Sequence, residues 1–203
     1  MVKARWLVVA VPAWMVVAYA GAVLLIPSFG PPFIRERLAE MPASVVAHIA
    51  GGAAALFAGA FQMNAGLRTR FLNIHRWLGR LYVVAVCLGA SGGFALATRS
   101  QGGLVTHVSF GLLAILWLGT TAAAYFYIRR GDQVNHRRWM IRSYALTFAA
   151  VTLRWYLPLA LVAGIPFIDA YQAIAWACWV PNLIVAEWWL LRPVRAQAPY
   201  VAV

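Results

Sequence analysis

Long apolar runs follow one another along almost the whole chain, and only short polar segments separate them. Each run holds about 20 residues, the length that an α-helix needs to cross a hydrocarbon layer of about 30 Å. The pattern therefore predicts an all-α integral membrane protein, a six-helix bundle in which residues 1–203 form a single transmembrane domain. The predicted spans are 6–29, 43–63, 77–98, 104–128, 139–163 and 168–191.

The composition agrees with a chain that has lipid as its solvent. Hydrophobic residues make up 64% and charged residues 11% of the chain, whereas soluble domains average about 45–50% apolar. The first run follows Lys3 and Arg5 as a signal peptide would, but it is too long and lacks a cleavage site, so we expect a retained helix. Cys87 and Cys178 fall in the middle of spans, which excludes a disulfide framework or a CxxC metal site.

The net charge of +12 is distributed unevenly between the two ends of the helices. The positive-inside rule places the basic side, which includes both termini, in the cytoplasm. No separate basic domain is present to enter a nucleic-acid groove, so we expect no nucleic-acid partner and assign these charges to the lipid bilayer. The basic side holds Lys3, Arg5, Arg68, Arg70, Arg76, Arg129, Arg130, Arg137, Arg138, Arg192 and Arg195, whereas the other side balances Arg35, Arg37 and Arg99 against Glu36, Glu40 and Asp169.

Two histidines near the outer ends of helices 2 and 4 share a local pattern. His48 and His107 are each followed by a branched aliphatic residue and, at i+4, by a glycine, Gly52 or Gly111. Residues four apart lie on one face of a helix, so each imidazole has a neighbour without a side chain on its own face.

The other two histidines, His75 and His136, open the cytoplasmic ends of helices 3 and 5, and arginine and tryptophan follow each of them. Both pairs repeat at an offset of about 60 residues, so helices 2 and 3 resemble a parallel duplicate of helices 4 and 5. Such duplicates are commonly related by an axis along the membrane normal. We therefore expect His48 to face His107 and His75 to face His136, with roughly 20–25 Å between the two levels.

Paired imidazoles inside a membrane are typical of haem ligation. Histidine is a frequent axial ligand of haem iron, and an intramembrane ionisable residue usually has a function. The sequence therefore predicts two b-type haems, one for each histidine pair, with clearance for the macrocycle beside the glycines. Guanidinium groups at the inner level match haem propionates, and the candidates are Arg76, Arg80, Arg137 and Arg142.

Each of these features has a simpler explanation when it is taken alone. A single intramembrane histidine usually donates an interhelical hydrogen bond, and glycines usually allow close helix packing. Arginines and tryptophans at a membrane surface usually anchor the protein to lipid. None of these explanations predicts matched pairs, so the haem hypothesis depends on the pairing.

Two segments carry a resemblance to a known family. HRWLG at His75–Gly79 and HVSFG at His107–Gly111 resemble the HSWLG and HVxFG boxes of the ascorbate-dependent transmembrane di-haem cytochromes b. In those six-helix proteins helix 2 pairs with helix 4 and helix 3 with helix 5, although the two boxes lie one helix later than here. The resemblance implies electron transfer across the membrane between two haems b, with the four histidines as iron ligands.

A second resemblance extends over nearly all of residues 48–158. It concerns a family of bacterial multi-spanning membrane proteins with the signatures HRWLGR, IRRGD and HRRWMIRSYALTFAA, which stand here at His75–Arg80, Ile128–Asp132 and His136–Ala150. This resemblance implies a protein of the bacterial inner membrane, and it brings no activity with it.

Two functions from different classes remain open. The first is an electron carrier or oxidoreductase that exchanges electrons with a quinone or a redox partner protein. The second is a non-redox accessory or assembly subunit of a larger membrane complex, whose arginine-rich face binds anionic lipid or a partner. A transporter ranks below both, because no pair of interrupted helices forms a midplane site, and the scattered acids argue against metal-assisted hydrolysis.

The duplicated unit comprises only helices 2 to 5, so we expect these to form a four-helix core with helices 1 and 6 outside. Glu187 is expected to pair with Arg142 or Arg80, because an unpaired carboxylate at that depth is costly. Arg154 is expected to face the bundle interior, with a haem propionate or a backbone carbonyl as its partner.

Overall fold

The computed structural model describes residues 2–26 and 28–191, and the side chains of all of these except residues 2–5 and 65. This part of the chain contains ten α-helices and no strand. Six helical segments are long and apolar enough to cross a membrane, which confirms the all-α six-helix prediction. They are Trp6–Leu25, Pro42–Gln62, Leu72–Ala97, Leu104–Arg129, Gln133–Val162 and Phe167–Leu191, which we call spans 1 to 6.

Two of the spans consist of two consecutive helices, and two short helices lie in the loops. We call the side with the loops at residues 63–71 and 130–132 the basic side and the other the opposite side; α2 lies on the opposite side and α4 on the basic side. In chain order the helices are α1 (Val2–Leu25), α2 (Pro32–Glu40), α3 (Pro42–Gln62), α4 (Ala65–Arg70), α5 (Leu72–Ala97), α6 (Leu104–Arg129), α7 (Gln133–Thr147), α8 (Ala149–Val162), α9 (Phe167–Ala177) and α10 (Val180–Leu191).

The interruptions of spans 5 and 6 have local causes. In span 5, the hydroxyl of Thr147 donates to the carbonyl of Ser143 at 2.9 Å, and such bonds back to the preceding turn often bend a helix. In span 6, Pro181 lacks an N–H and its ring opposes the carbonyl four residues earlier, so α9 ends before it at Ala177.

Spans 3 and 5 begin earlier than their apolar runs predict. Their helices start at Leu72 and Gln133 instead of residues 77 and 139. The predicted runs were bounded by polar residues, but a helix can include polar residues beyond its apolar part. Where a capping residue is present, it sets the first residue of the helix. The carboxylate of Asp132 accepts the N–H of Asn135 at 2.9 Å at the beginning of α7. The inner histidines therefore lie about one turn inside their helices rather than opening them.

The four central spans pack as a ring. Helix α3 packs on α5, α5 on α6, α6 on α7, and α7 on α3. Span 1 packs outside this ring on α3 and α8, and span 6 packs on α6, α7 and α8. This arrangement is the predicted four-helix core with two outer helices. Spans 2 and 4 stand diagonally across the ring, as do spans 3 and 5.

Spans 2 and 3 approach each other more closely than ordinary side chains would permit. A Cβ atom on Gly51 would lie 2.6 Å from the carbonyl oxygen of Ala85, and one on Gly92 would lie 2.5 Å from the carbonyl oxygen of Ser44. The two helix backbones are therefore in contact. Such contacts are common in membrane bundles, where helices associate by van der Waals packing and small residues let the backbones approach closely.

A buried cluster of hydrogen bonds occupies the middle of the ring. The hydroxyl of Tyr82 on span 3 lies 2.7 Å from those of both Ser143 and Thr147 on span 5. From span 4, the indole of Trp117 donates to Thr147 at 2.8 Å, and the hydroxyl of Thr121 lies 2.7 Å from that of Ser143. These five residues, here called the Tyr82 cluster, join the diagonal spans 3 and 5 through their side chains.

Candidate functional site

A cavity of about 320 Å³ lies inside the half of the bundle away from the basic side. Ligand pockets range from about 300 to 1,000 Å³ and are mostly apolar with a few polar groups. The walls follow this pattern: aliphatic residues such as Val16, Leu113 and Leu153 alternate with a small number of polar side chains. Helix α2 borders the cavity through Phe33 and Arg37, so it separates this space from the end of the bundle.

His48 lies on the wall of this cavity with its orientation fixed. Its Nδ1 lies 2.9 Å from the carbonyl oxygen of Gly89, and because a carbonyl only accepts, Nδ1 is the protonated nitrogen. The residue has substantial accessible surface and borders the cavity. The lone pair of Nε2 therefore remains for a ligand, as in metal-binding histidines whose other nitrogen donates to a backbone carbonyl.

Glycines keep the space beside His48 open. Gly52, one turn along α3, borders the cavity, and a Cβ atom there would meet nothing within 4 Å. On α5, Gly89 and Gly93 also border it, and a Cβ atom on Gly93 would lie 2.7 Å from Nδ1 of His48. The imidazole therefore packs directly against the backbone of span 3, and the predicted clearance at Gly52 is present.

Arg154 brings a positive charge to the same cavity. It is partly buried on α8, borders the cavity, and donates from Nη1 to the carbonyl of Ala150 at 2.9 Å. Its guanidinium carbon lies 5.4 Å from the ring centroid of Tyr19 on span 1, a cation–π distance. The prediction that Arg154 faces the interior with a carbonyl partner is confirmed.

His107 and Gly111 occupy positions that differ from those of their counterparts. The Nε2 atom of His107 lies 2.9 Å from the carbonyl oxygen of Ser100, in the loop before α6. Neither His107 nor Gly111 is among the residues that border the cavity, and a Cβ atom on Gly111 would contact the Phe94 ring at 3.9 Å. A shared ligand for His48 and His107 thus stays a prediction.

The inner histidines both lie near the basic side of the bundle. Each is the fourth residue of its helix, α5 or α7, and both side chains are partly buried. The Nδ1 atom of His136 lies 2.9 Å from the carbonyl oxygen of Ala124 on span 4. Like His48, His136 therefore carries its proton on Nδ1 and keeps the lone pair on Nε2.

Among the inner arginines, Arg142 already has a carboxylate partner. Its Nε and Nη2 atoms donate to the two oxygens of Glu187 on span 6 at 2.5 and 2.8 Å, which confirms the predicted pairing of Glu187. The guanidinium carbon also lies 4.7 Å from the ring centroid of Trp139. The fork that a propionate would need is therefore engaged in this structure.

The other inner arginines lie toward the surface. Arg80 lies over the ring of Trp77, again with 4.7 Å to the centroid, which repeats the Trp139 contact of Arg142 in the other half of the predicted duplicate. Arg76 and Arg137 are exposed. Such positions suit contacts with lipid phosphates as well as with propionates.

Residues 45–190 match the sequence profile of a family described as "Predicted membrane protein (DUF2306)". The chain belongs to this family. The DUF2306 region contains the four central spans and most of span 6, and with them all four histidines and Arg154. Its description names a membrane location and no activity. No curated protein and no solved structure matches the chain.

Two features of this DUF2306 protein escaped the sequence analysis. The Tyr82 cluster is one, although Tyr82 and Ser143 each lie seven residues after an inner histidine and hence on the same helix face, which was a usable signal. The other is α2, whose side chains border the cavity. In the DUF2306 cavity the arrangement offers the lone pair of His48 and the guanidinium of the partly buried Arg154 to a mostly apolar ligand, and Arg37 and Arg99 also border this space.

The start of α7 also depends on a residue that the sequence analysis treated only as one of several scattered acids. The backbone N–H of Asn135 and its side-chain amide both donate to the carboxylate of Asp132. These bonds, the backbone one most strongly, hold the pKa of that carboxyl below its ordinary value of 3.8. Asp132 is therefore ionised near neutral pH and accepts at the N-terminus of the helix that carries His136.

Proposed function

We propose that this protein binds haem b and carries electrons across the membrane. The observation that carries the proposal is His48, which borders the cavity and whose Nδ1–H is anchored on the Gly89 carbonyl, so that Nε2 keeps its lone pair. This is the tautomer and the hydrogen-bond pattern of a histidine that ligates iron. When bound, haem supplies one-electron chemistry, and the protein positions and tunes it.

The residues around the cavity fit this cofactor. Gly52 and Gly93 leave the surroundings of His48 free of other side chains, and the wall is mainly apolar. Arg154 provides a guanidinium at a comparable depth, which matches the charge of a propionate. The imidazole of His48 and the guanidinium of Arg154 are therefore suited to an iron porphyrin with free carboxylates.

We assign a second haem to the inner histidines and the second outer ligand to His107. The Nδ1 bond of His136, which leaves the lone pair of its Nε2 for a ligand, supports the inner site. For the outer site, His107 must exchange its bond to Ser100 for iron, since its Nε2 atom is engaged. This arrangement is also the one that the resemblance to the di-haem cytochromes b implies.

The orientation and partners belong to the same proposal. Because basic residues favour the cytoplasmic side, we place the basic side and both termini there, in a bacterial inner membrane. A quinone or a redox partner protein exchanges electrons with the two ends of the bundle.

A second candidate function is supported by the exposed arginines of the basic side. Arg76, Arg129, Arg130, Arg137 and Arg138 are all exposed. A surface of this kind attracts anionic lipid or an acidic partner protein. This candidate is a non-redox accessory or assembly subunit of a larger membrane complex.

The first test is the metal content and absorption spectrum of protein purified from haem-sufficient cells. We expect a b-type spectrum with iron, and the loss of the outer haem from His48→Ala. Gln101→Ala, at a polar residue that borders the same cavity, is the matched control and is expected to keep both haems. Wild-type protein without iron or haem would overturn the proposal in favour of the accessory subunit.

Two further variants test the pairing of the histidines. His107→Ala is expected to convert only the outer haem from low to high spin, because a low-spin iron needs both axial ligands. His136→Ala is expected to do the same to the inner haem and to leave roughly half of the low-spin signal. An unchanged low-spin signal in His107→Ala would exclude His107 as a ligand.

A further inference from the structure

Arg154 is a cation inside a membrane span with few partners. Its Nη1 donates to the Ala150 carbonyl, so one of its five N–H donors has an acceptor. Within residues 2–26 and 28–191 the ion pairs are Arg37 with Glu40 and Arg142 with Glu187. Arg154 therefore has no carboxylate partner in the described part of the chain.

The cost of this charge makes a missing partner informative. An arginine within a membrane span makes insertion of its helix costly, and such residues usually pair or line a cavity. Tyr19 supplies a cation–π contact on one side of the guanidinium, and His48 across the cavity offers no negative charge. Among the described residues that border the cavity, the acidic one is Glu36, and it is exposed on α2.

Arg154 and His48 lie at comparable depth. Arg154 is eight residues before the end of α8 at Val162, and His48 is six residues after the start of α3 at Pro42. At 1.5 Å per residue these positions are about 12 and 9 Å from the end of the bundle. One molecule inside the cavity can therefore contact both residues.

We infer that the ligand of the cavity carries a carboxylate and that Arg154 binds it. The identification of that carboxylate as a haem propionate rests on the proposed function. A fatty acid from the bilayer presents the same group, so the chemistry of Arg154 alone does not distinguish the two sources. Charge-assisted hydrogen bonds from a guanidinium to a carboxylate are about twice as strong as neutral ones. The guanidinium can donate two of them in parallel, one to each carboxylate oxygen.

The test measures binding of a matched set of probes to apoprotein from haem-deficient cells, by quenching of tryptophan fluorescence. The probes are iron protoporphyrin IX, the iron-free porphyrin, and the dimethyl esters of both. Wild type is expected to bind each free acid about tenfold more tightly than its ester. If acid and ester bind with equal affinity, both for the iron porphyrin and for the iron-free porphyrin, the inference is overturned.

Variants locate the effect. Arg154→Gln is expected to bind acid and ester equally, and Arg154→Lys to retain part of the difference, because it keeps the charge and loses the fork. Arg99→Gln is the matched control, since Arg99 also borders the cavity but is exposed, and it is expected to keep the full difference. If Arg154→Gln does not fold, the comparison of acid with ester in wild type still decides.

The same experiment separates this inference from the haem proposal. His48→Ala is expected to lose the preference for the iron porphyrin over the iron-free one while it keeps the preference for acid over ester. If no porphyrin binds, the haem proposal fails. In that case binding of oleate that depends on Arg154 would support the carboxylate site, and the absence of oleate binding would overturn that as well.

Discussion

The side-chain oxygen of Thr147 has more partners than any other atom of the Tyr82 cluster. It accepts from the Trp117 indole at 2.8 Å, lies 2.7 Å from the Tyr82 hydroxyl, and donates to the Ser143 carbonyl. The Trp117 side chain is almost fully buried, with 6% of its surface exposed. Removal of the Thr147 oxygen therefore takes from the buried Trp117 N–H its acceptor at 2.8 Å, whereas removal of the Tyr82 hydroxyl leaves that bond in place.

This difference predicts an order of stability. Thr147→Val, which keeps the shape, is expected to reduce the free energy of unfolding by about 1–3 kcal/mol, because a buried donor loses its partner. Tyr82→Phe is expected to cost less, about 1 kcal/mol or below, as for typical interhelical hydrogen bonds in membranes. Reversible unfolding in mixed detergent micelles measures both. An equal or reversed order would contradict the assigned Trp117 bond.

At the residue scale, ionisable side chains were the predictable part of the site. His48, Arg154 and Glu187 were recognised because a charge or an imidazole within an apolar run needs an explanation. The anchoring of His48 on the Gly89 carbonyl was not predictable, because it depends on the close approach of two backbones. Tyr82 was missed because tyrosine is common in membrane proteins and does not by itself indicate a polar cluster.

The contact of α3 with α5 depends on glycines whose hydrogen faces the other backbone. At Gly51 a methyl group would meet the Ala85 carbonyl oxygen at 2.6 Å, and backbone atoms cannot rotate away as a side chain can. At Gly119 on α6 a Cβ atom would meet nothing within 4 Å, and the residue is exposed. The two positions are therefore a matched pair within the same protein.

We expect Gly51→Ala to destabilise the fold by about 1–3 kcal/mol, the usual range for overpacking. Gly119→Ala is expected to be neutral or stabilising by up to about 1 kcal/mol, because alanine favours helix and no clash opposes it. Thermal denaturation in detergent compares the two variants with wild type. Equal effects would show that spans 2 and 3 are less closely packed than described here.

At the element scale, the number and order of spans followed from apolar length alone. The helices α2 and α4 were not predicted, because they are short and of mixed polarity, and such segments give no periodic signal. The pairing of His48 with His107 assumed equal depth. His48 is the seventh residue of α3 and His107 the fourth of α6, so equal helix starts place His107 about 4–5 Å nearer the end of the bundle.

For the whole molecule, the pair of Arg142 and Glu187 is a polar connection between the four-helix core and span 6. Its two side chains are 23% and 40% exposed, so solvent or lipid headgroups screen it only in part. The pair of Arg37 and Glu40 lies within one short helix and joins no separate elements. Loss of the first pair therefore loosens the contact between span 6 and the core, whereas loss of the second affects α2 alone.

A double-mutant cycle on Arg142→Gln and Glu187→Gln is expected to give a coupling energy of up to about 1 kcal/mol, with loosening of span 6 in limited proteolysis. The cycle on Arg37→Gln and Glu40→Gln is expected to give about 0.3–0.5 kcal/mol or less and no change in proteolysis. Span 6 that stays equally protected in both cycles would show that its other contacts hold it without this ion pair.

The composition of the Tyr82 cluster has a consequence for its hydrogen atoms. The hydroxyls of Tyr82, Ser143, Thr147 and Thr121 make three contacts with one another and two with backbone carbonyls. Each hydroxyl supplies one hydrogen, so four hydrogens are shared among five contacts. No single assignment places a hydrogen in every contact, so at least one pair of oxygens faces each other without one, and more than one assignment meets this condition. The oxygen positions at the centre of the bundle therefore do not by themselves fix which hydroxyl donates to which.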